Sequence, residues 1–456
     1  ANAEIKDGAK VVVTADGTDT GTSGADHNVS VTASAQNDMI ALHGNFAPFG
    51  PSTGDSDKPS RNKGFKKGLG SFYSKYKQEV KDSKAVKNPL GEEETENAVG
   101  AAVSILSETT YATATIGDAV IIANDVTVTS SAKHLNFGIA AAGGKGGKLS
   151  LNGSWNHTSV DSKAVSRIGS GANITAAGDL DVDATEMTLV VQFAGAVSQA
   201  ESVAVGISGL TFLSDRRADA HVSGGAGGGS ITVTGDATFD AEVKGVIIGG
   251  AIAASVAKPA PPGQDTAGSG ITTDSAASGS GGTSALPTGV SQQASNSKSG
   301  LSIAGSAIGY EEDIFVNADI TGLATLSAGS LSLRAADKAN RILVTGGAAV
   351  TTSSKGVGVA GAFVVIDSVK EISATVATGT GQAMDLTAGS VLMKASDEAV
   401  YFSLAVGVAV SKGSKGVGVS GSVTVTVAKS TIDAGFIGQS AAKITLNTSG
   451  AVKRKN

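Results

Sequence analysis

The chain contains no cysteine and few aromatic residues. Among its 456 residues aromatic side chains make up 4%, whereas glycine occurs 62 times. The absence of cysteine excludes disulfides, thiolate metal sites and cysteine nucleophiles. The shortage of aromatics excludes a core built on large rings, and the Ala, Val, Ile and Leu that remain suit closely packed β-layers.

Long hydrophobic runs and a strong charge imbalance are also missing. No apolar run reaches the roughly 18 residues of a membrane-spanning helix, so the sequence predicts no transmembrane segment. The net charge of −6 comes from 35 basic and 41 acidic residues, and we therefore expect no nucleic-acid partner. The start, ANAEIKDGAK, has neither the basic nor the apolar region of a signal peptide. We expect a mature or excised piece of a longer protein.

The chain is dominated by a repeat of roughly 55 residues. Each unit combines short apolar strands, a Gly or Asp turn, and strands in which apolar and polar residues alternate. The last strand of each unit ends with a small residue, any residue and then an apolar residue. These final apolar residues are Ile116, Ile168, Val222, Ile320, Val376 and Ile437. The units are 3–116, 117–168, 169–222, 223–320, 321–376 and 377–437, followed by a partial unit 438–456. Together they form a single repeat array, because units this small gain stability by stacking on their neighbours.

Two inserts, 48–97 and 258–299, interrupt the repeat at the same point of the unit. All eight prolines lie within them. Proline lacks the N–H that a β-ladder needs, so its confinement separates the framework from the inserts. The second insert is rich in Gly, Ser, Thr and Ala, a composition typical of a mobile loop.

The strictly alternating pattern predicts an all-β fold, an elongated β-solenoid or parallel β-helix of about five and a third repeats with two inserted loops. A unit of this length is too long for one ordinary coil. We expect two coils of about 27 residues per unit. The alternative is one short coil with a protruding hairpin, because 401–428 also resembles two strands joined by a Ser/Lys/Gly turn. The ends carry no obvious cap, so uncapped edges are expected to be continued by flanking repeats or by head-to-tail assembly.

The stretches SKGVGVAG (354–361) and SKGVGVSG (414–421) both match the G-x-G-x-x-G spacing of dinucleotide-binding loops. That fingerprint requires the glycines to open a helix after a strand. Here the alternating pattern continues beyond them as AFVVID and SVTVTVA. We therefore interpret these glycines as positions where the strand must be thin, so that another layer can approach.

Candidate metal ligands are sparse. Asp179, Asp181 and Asp183 alternate along one strand, and Asp236 and Asp240 follow in the next unit. We interpret these aspartates as a solvated strand face, with a calcium site as the alternative, and no other cofactor is predicted. The five histidines show no metal-binding spacing and no carboxylate pairing, so no metal or acid-base role is expected for His27, His43, His134, His157 or His221.

The first insert has a chemistry of its own. Between Lys58 and Lys87 it contains ten basic and two acidic residues, with an apolar stripe at helical spacing through Phe65, Leu69, Phe72, Tyr76 and Val80. The stripe predicts an amphipathic helix docked on the solenoid, or one that contacts an anionic surface such as a glycan. The candidate contact residues are Lys66, Lys67, Phe72, Tyr73, Lys75, Tyr76, Lys77, Lys81, Lys84 and Lys87.

The repeats resemble those of giant secreted bacterial adhesins. SKGVGVAGAFVVIDSVKEISATV, SKGVGVSGSVTVTVAKSTIDAGFI and the AGSVLMKA stretch at 388–395 are similar in style to leukotoxin-type filamentous adhesins and, in architecture, to filamentous-haemagglutinin-type passengers. The resemblance implies export, an extracellular or bacterial cell-surface location, a parallel β-helix and a role in adhesion.

Three functions are compatible with these patterns. The first is a non-enzymatic structural segment of a surface adhesin or extracellular filament, whose partners are copies of itself or flanking repeats. The second is a module that binds host or bacterial glycans, or another anion, through 58–87. The third is a β-helix polysaccharide-degrading enzyme, which would need clustered acids and basic partners that do not recur here.

Overall fold

The computed structural model describes residues 1–13, 27–46, 97–223, 227–258, 299–378, 382–438, 443–448 and 452–455. These residues form parallel strands and no helix. In chain order the first ten strands are β1 (Asn2–Ile5), β2 (Lys10–Val12), β3 (Val29–Phe46), β4 (Asn97–Ile116), β5 (Val120–Ala123), β6 (Val126–Lys145), β7 (Leu149–Ile168), β8 (Asn173–Ala176), β9 (Leu180–Ala200) and β10 (Val203–Val222). The others are β11 (Ser230–Val233), β12 (Asp236–Ala257), β13 (Leu301–Thr321), β14 (Thr325–Asp337), β15 (Asn340–Thr351), β16 (Val357–Thr378), β17 (Ala383–Asp397), β18 (Val400–Ser411), β19 (Val417–Gly438), β20 (Lys443–Thr448) and β21 (Val452–Lys455).

The strands assemble into two facing sheets of a parallel β-solenoid, as the alternating pattern predicts. Sheet A contains β1, β4, β7, β10, β13, β16 and β19 in that order. Sheet B contains the remaining strands, long ones such as β6 and β9 together with short ones such as β5 and β8. The chain passes from a short strand to a long strand of sheet B and then to a long strand of sheet A, which completes one coil.

One repeat unit forms one coil. Asn97 of β4 pairs with Leu149 of β7, and Leu149 pairs with Val203 of β10, so one full unit separates neighbouring strands of the ladder. The expected two coils of about 27 residues per unit are therefore wrong. The hairpin alternative is wrong as well, because β18 and β19 lie in different sheets and pair with β15 and β16. In sheet A a single strand runs the whole width of the coil, and in sheet B two successive strands cover it, such as β5 with β6 or β14 with β15, which is why the unit is so long.

The proportions of the stack follow from this arrangement. Strands of about 20 residues are roughly 65 Å long, whereas seven strands of sheet A rise only about 30 Å at 4.8 Å each. The stack is therefore wider along its strands than it is tall.

The inserts do not interrupt the pairing of the strands. Val203 pairs with Leu301 although the second insert lies between them in the chain. Both inserts therefore leave the ladder undisturbed, since they occupy the turn between a sheet B strand and the following sheet A strand. We call this turn, Gly146–Lys148 in the β6–β7 coil, the tip, and the opposite end with the short strands the base.

The interior narrows from base to tip. At the base, large aliphatic side chains from three sides fill the core, including Ile116, Ile121 and Val128. In the middle, Phe212 and Tyr310 stack with ring centroids 5.2 Å apart. Near the tip the core consists of alanines, among them Ala253, Ala304, Ala349 and Ala360. The coil is thus a wedge, and side-chain size sets the distance between the sheets at each level.

The twin glycine motifs begin in the tip turns and continue into β16 and β19, at the narrow part of this wedge. Gly358 and Gly418 point inward, where an added β-carbon would lie 3.5 Å from the backbone oxygen of Ala349 and 2.9 Å from that of Ala409, respectively. On the facing strand β15, a β-carbon on Gly347 would lie 2.5 Å from the backbone oxygen of Gly361. Inward glycines therefore permit the close approach of the sheets that the sequence indicates.

Replacing an inward glycine should destabilise the protein much more than replacing an outward one. We expect Gly347→Ala to lower the free energy of unfolding by about 1–3 kcal/mol, because its methyl group would overlap backbone atoms that cannot move away. Gly309, on the outer face of β13, has no atom within 4 Å of an added β-carbon, so Gly309→Ala is the matched control. Chemical unfolding of both variants checks this, and equal midpoints would contradict the close sheet contact.

Candidate functional sites

A row of buried charged side chains crosses the middle of the wedge. Arg216 of β10 donates to Glu186 of β9 from Nε at 2.8 Å, and neither side chain is solvent-accessible. Arg341 of β15 donates to Glu312 of β13 from Nε at 3.0 Å and from a terminal nitrogen at 2.8 Å. These groups project from strands of facing sheets, so the ion pairs hold the two sheets together across the core.

The pairs continue from coil to coil. Asp337 lies 3.3 Å from Arg341 and 2.7 Å from Lys370 Nζ, which also donates to Asp397 at 2.9 Å. Burial alone would raise the pKa of Glu312, but Arg341 and hydroxyl donors, foremost that of Tyr310, hold it below the ordinary value. The carboxylate is therefore ionised and fully partnered. Such a network can fix register, yet buried as it is it offers no access to a substrate.

Glu108 and His134 form a different kind of buried pair. The His134 Nε2 atom contacts Glu108, and neither side chain is accessible to solvent. Burial raises the pKa of Glu108 to about 7, opposed by a hydrogen bond from Asn136. Burial, followed by the charge of Arg216, lowers the pKa of His134 to about 4. At intermediate pH the pair therefore shares one proton and carries no net charge.

The second side-chain cluster lies on the outer face of sheet A near the base. Asp219, His221 and Asp319 place one ligand atom each within 4.8 Å of the others. The register of β10 and β13 sets His221 beside Asp319 and Asp219 beside Asn317. Two carboxylates and one imidazole are a donor set that a divalent transition metal accepts.

Hydrogen bonds and ion pairs within the protein compete for the same atoms. His221 Nδ1 lies 2.6 Å from Asp219, and a terminal nitrogen of Arg217 lies 2.5 Å from it. Asn317 donates to Asp219 at 3.1 Å and to Asp319 at 2.7 Å. Burial raises the pKa of Asp319, whereas contacts with His221 and Arg217 outweigh burial and lower the pKa of Asp219. The cluster is thus held together by its own ion pairs and hydrogen bonds, and a cation would have to displace Arg217 and Asn317 from the carboxylates.

The expected absence of carboxylate-paired histidines is therefore wrong for His134 and His221. His221 follows Asp219 by two residues, so the two share a strand face, a signal visible in the sequence. Glu108 and His134 lie in facing sheets, and their meeting depends on the thickness of the wedge. The burial of Arg216 and Lys370 could also have been predicted from the sequence, because both occupy inward positions of strands with an alternating pattern.

The aspartates considered for calcium serve partly as turn supports. Asp125 accepts the backbone N–H of Asp179 at 2.9 Å, and Asp179 accepts that of Asp236 at 2.8 Å, so each carboxylate joins one coil to the next. Asp183 lies outward on β9, where burial and then the neighbouring Asp240 raise its pKa to about 6. Calcium binding at these aspartates stays a prediction.

At each end of the stack a long strand has an edge without a partner among the described strands. At one end β1 pairs with β4 along Thr113–Ile116, and none of the described strands pairs with the outer edge of residues 97–112. At the other end β19 pairs with β16, and in the described chain no strand follows it. Backbone N–H and C=O groups on such edges favour pairing with a further strand.

The basic residues selected from the first insert, from Lys66 to Lys87, lie outside the described residues, as does 259–298 of the second insert. The first insert connects β3 to β4 and the second connects β12 to β13, so both are attached at the tip. There the described turns contribute further exposed or half-buried lysines, namely Lys145, Lys148, Lys258, Lys355, Lys412 and Lys415. In the described turns of the tip these six lysines thus outnumber the acids, of which Glu201 is exposed.

No protein-family model matches the chain, and neither a curated protein nor a solved structure does. Within the described ranges no helix is long and apolar enough to cross a membrane.

The Glu108–His134 pair predicts opposite pH effects when either partner is removed. In the unfolded chain the two groups titrate near 4.5 and 6.5, so folded and unfolded states each hold one proton at intermediate pH, and the intact pair adds little pH dependence. In Glu108→Gln the unfolded His134 binds a proton near 6.5 that the folded one does not accept until about 4. Stability should then fall as pH drops through this range, by up to about 1.4 kcal/mol per pH unit.

His134→Asn should show the reverse. The folded Glu108 keeps its proton up to about 7, whereas the unfolded group loses it near 4.5, so stability should fall as pH rises between these values. Calorimetric unfolding midpoints from pH 4 to 7.5, compared with those of the unmodified chain, measure both slopes. Slopes of the same sign in the two variants would show that the pair does not share a proton.

Proposed function

We propose that the chain is a non-enzymatic structural segment of a bacterial cell-surface adhesin or extracellular filament, built as a solenoid whose edges accept further parallel strands. The open edges of β4 and β19 carry this proposal, because each offers a row of backbone groups in the same orientation as the ladders inside the stack. Flanking repeats of a parent chain and a second copy both present such strands. The similarity of the repeats to those of secreted adhesins supports an extracellular location.

The ladder geometry suits a load-bearing role. Neighbouring strands such as β7 and β10 remain in register over all 20 residues, and β13 and β16 over 21. A force along the strands must break many hydrogen bonds at once, since they are arranged side by side. Buried ion pairs between the sheets oppose sliding of one sheet over the other.

The distribution of acidic residues supports a non-enzymatic role. Glu186, Glu312 and Asp337, whose basic partners lie in the core, are inaccessible to a substrate, whereas a polysaccharide-degrading enzyme needs an accessible acid pair in a cleft. Turnover of acidic polysaccharides by the purified chain would refute this proposal.

Binding of an anionic glycan through the tip is a second candidate. It is favoured by one observation, the attachment of the basic segment 58–87 to an edge that already carries exposed lysines. Deletion of 58–87 should then weaken retention on a sulfated polysaccharide and leave the fold intact. Unchanged retention would remove this candidate.

Association through the open edge predicts assemblies longer than one stack of about 30 Å. Val417 N–H donates to Gly356, so in the alternating pattern of a parallel ladder the even-numbered residues of β19 direct their N–H groups to the open edge. Ser422→Pro removes one such donor without breaking an existing pair. Electron microscopy should show fibres for the unmodified chain and for Ser422→Ala, and shorter particles for Ser422→Pro. Single stacks at every concentration would contradict edge pairing.

A further inference from the structure

The outer face of sheet A carries a broad apolar band next to the tip. We call the first nine residues of β4, β7, β10, β13, β16 and β19 the band; its outward positions contain no Asp, Glu, Lys or Arg. Several side chains are strongly exposed, among them Ile105 at 72% and Val99 at 69%. The band covers on the order of 800 Å², well above the single exposed apolar residues that any surface has.

Charges of opposite sign flank the band. The tip turns along one margin carry mainly lysines, including Lys355 before β16, together with Glu201 before β10. The other margin carries mainly acids that are exposed or half-exposed, namely Asp161, Asp215, Glu311, Asp313 and Asp367, together with Lys429 on β19. Lys163 contacts Asp161 at 3.0 Å and Asp215 at 3.5 Å, which leaves the β13 and β16 side of this margin the more acidic. The face therefore has a positive edge, an apolar centre and a negative edge.

A row of outward glycines runs through the middle of the band. Gly305 of β13 pairs with Gly361 of β16, which pairs with Gly421 of β19. An added β-carbon at Gly305 or Gly421 would have no atom within 4 Å, and at Gly361 the nearest would be a Phe363 carbon at 3.8 Å. None of the three has a positive φ. Nothing among the described residues requires glycine here, whereas a second surface approaching the row would.

We propose that this face pairs with the same face of a second copy, about a two-fold axis that runs along the glycine row parallel to the stack. The rotation reverses the strand direction, so the lysine margin of one copy lies over the acidic margin of the other. Lys355, in the turn before β16, and Asp367 of β16 are each six residues from Gly361, and the axis therefore brings Lys355 of each copy near Asp367 of the other. The two stacks run side by side with the same polarity, which lets laterally paired filaments grow together.

Other occupants fit the band less well. A helix of the length of 58–87 would cover only about half of it, at 1.5 Å per residue and a width near 10 Å. An anionic lipid surface would be repelled by the acidic margin. A second copy places opposite charges over both margins of the band. It also buries about 800 Å² per partner, the size of a standard stable interface.

Sedimentation of the chain should show dimers in addition to any longer assemblies. All variants of the face are compared in a Ser422→Pro background, so that end-to-end association is suppressed. Val359→Lys, in the centre of the band, should weaken the dimer at least tenfold. Glu371→Lys, on the same outer face of β16 but outside the band, is the matched control. Lys355→Glu and Asp367→Lys should each weaken the dimer, and the double variant should restore it.

Cross-linking locates the axis, because the chain has no cysteine of its own. Gly361→Cys should be joined to its partner copy by a bismaleimide of about 10 Å reach, the spacing of packed sheets, whereas Glu371→Cys should not.

A monomer at high micromolar concentration overturns the proposal, and so does a dimer unaffected by Val359→Lys. Dimers that form only after deletion of 58–87 would assign the band to that segment, and binding to anionic vesicles in place of dimerisation would assign it to lipid. Edge-dependent fibres that survive all face variants would refute lateral pairing and leave the structural role standing.

Discussion

The in-register parallel ladder between successive coils is the constraint from which the other features of the molecule follow. Each strand must present the same length and phase as the strands beside it, so extra residues can enter the chain only at turns. Both inserts obey this rule, since Val203 still pairs with Leu301 across the second one. The confinement of proline to the inserts has the same origin, because a proline within a ladder would remove a hydrogen bond that both neighbours need.

The wedge explains why one repeat uses such different side chains along its length. Three sides meet at the base, and the space between them takes Ile, Leu and Val. Only two sides meet at the tip, where Gly347 lies so close to the backbone oxygen of Gly361 on the facing strand that position 347 has no room for a side chain. The inward glycines Gly358 and Gly418 of the twin motifs therefore lie at the narrow end of a gradient in thickness, whereas Gly361 and Gly421 face outward.

The parts of the structure that depend on local pattern could be predicted from the sequence. Period-two alternation predicts the strands, self-similarity predicts the unit, and proline predicts the inserts. The number of coils per unit could not be predicted, because alternation shows that a segment is a strand but not which strand it pairs with. The contacts of Glu108 with His134 and of Arg341 with Glu312 were hidden for a related reason, since they join facing sheets and depend on where two strands happen to lie opposite each other. The aspartates near 179 illustrate an intermediate case: their alternation was visible, but their service to backbone groups of the next coil required the ladder to be known.

The buried charges do what a uniform ladder cannot: they specify which coil stacks next to which. Backbone hydrogen bonds would accept any coil of the right length, and the aliphatic base is similar from unit to unit. The ionic row is different at each level: Arg341 needs Glu312 of the preceding coil, and Lys370 needs both Asp337 and Asp397. A coil stacked out of order would leave a charge buried without a partner, at a cost of several kcal/mol. Repetition therefore supplies the strength of this solenoid, and the few inward charges that break the repetition specify the order in which its coils are stacked.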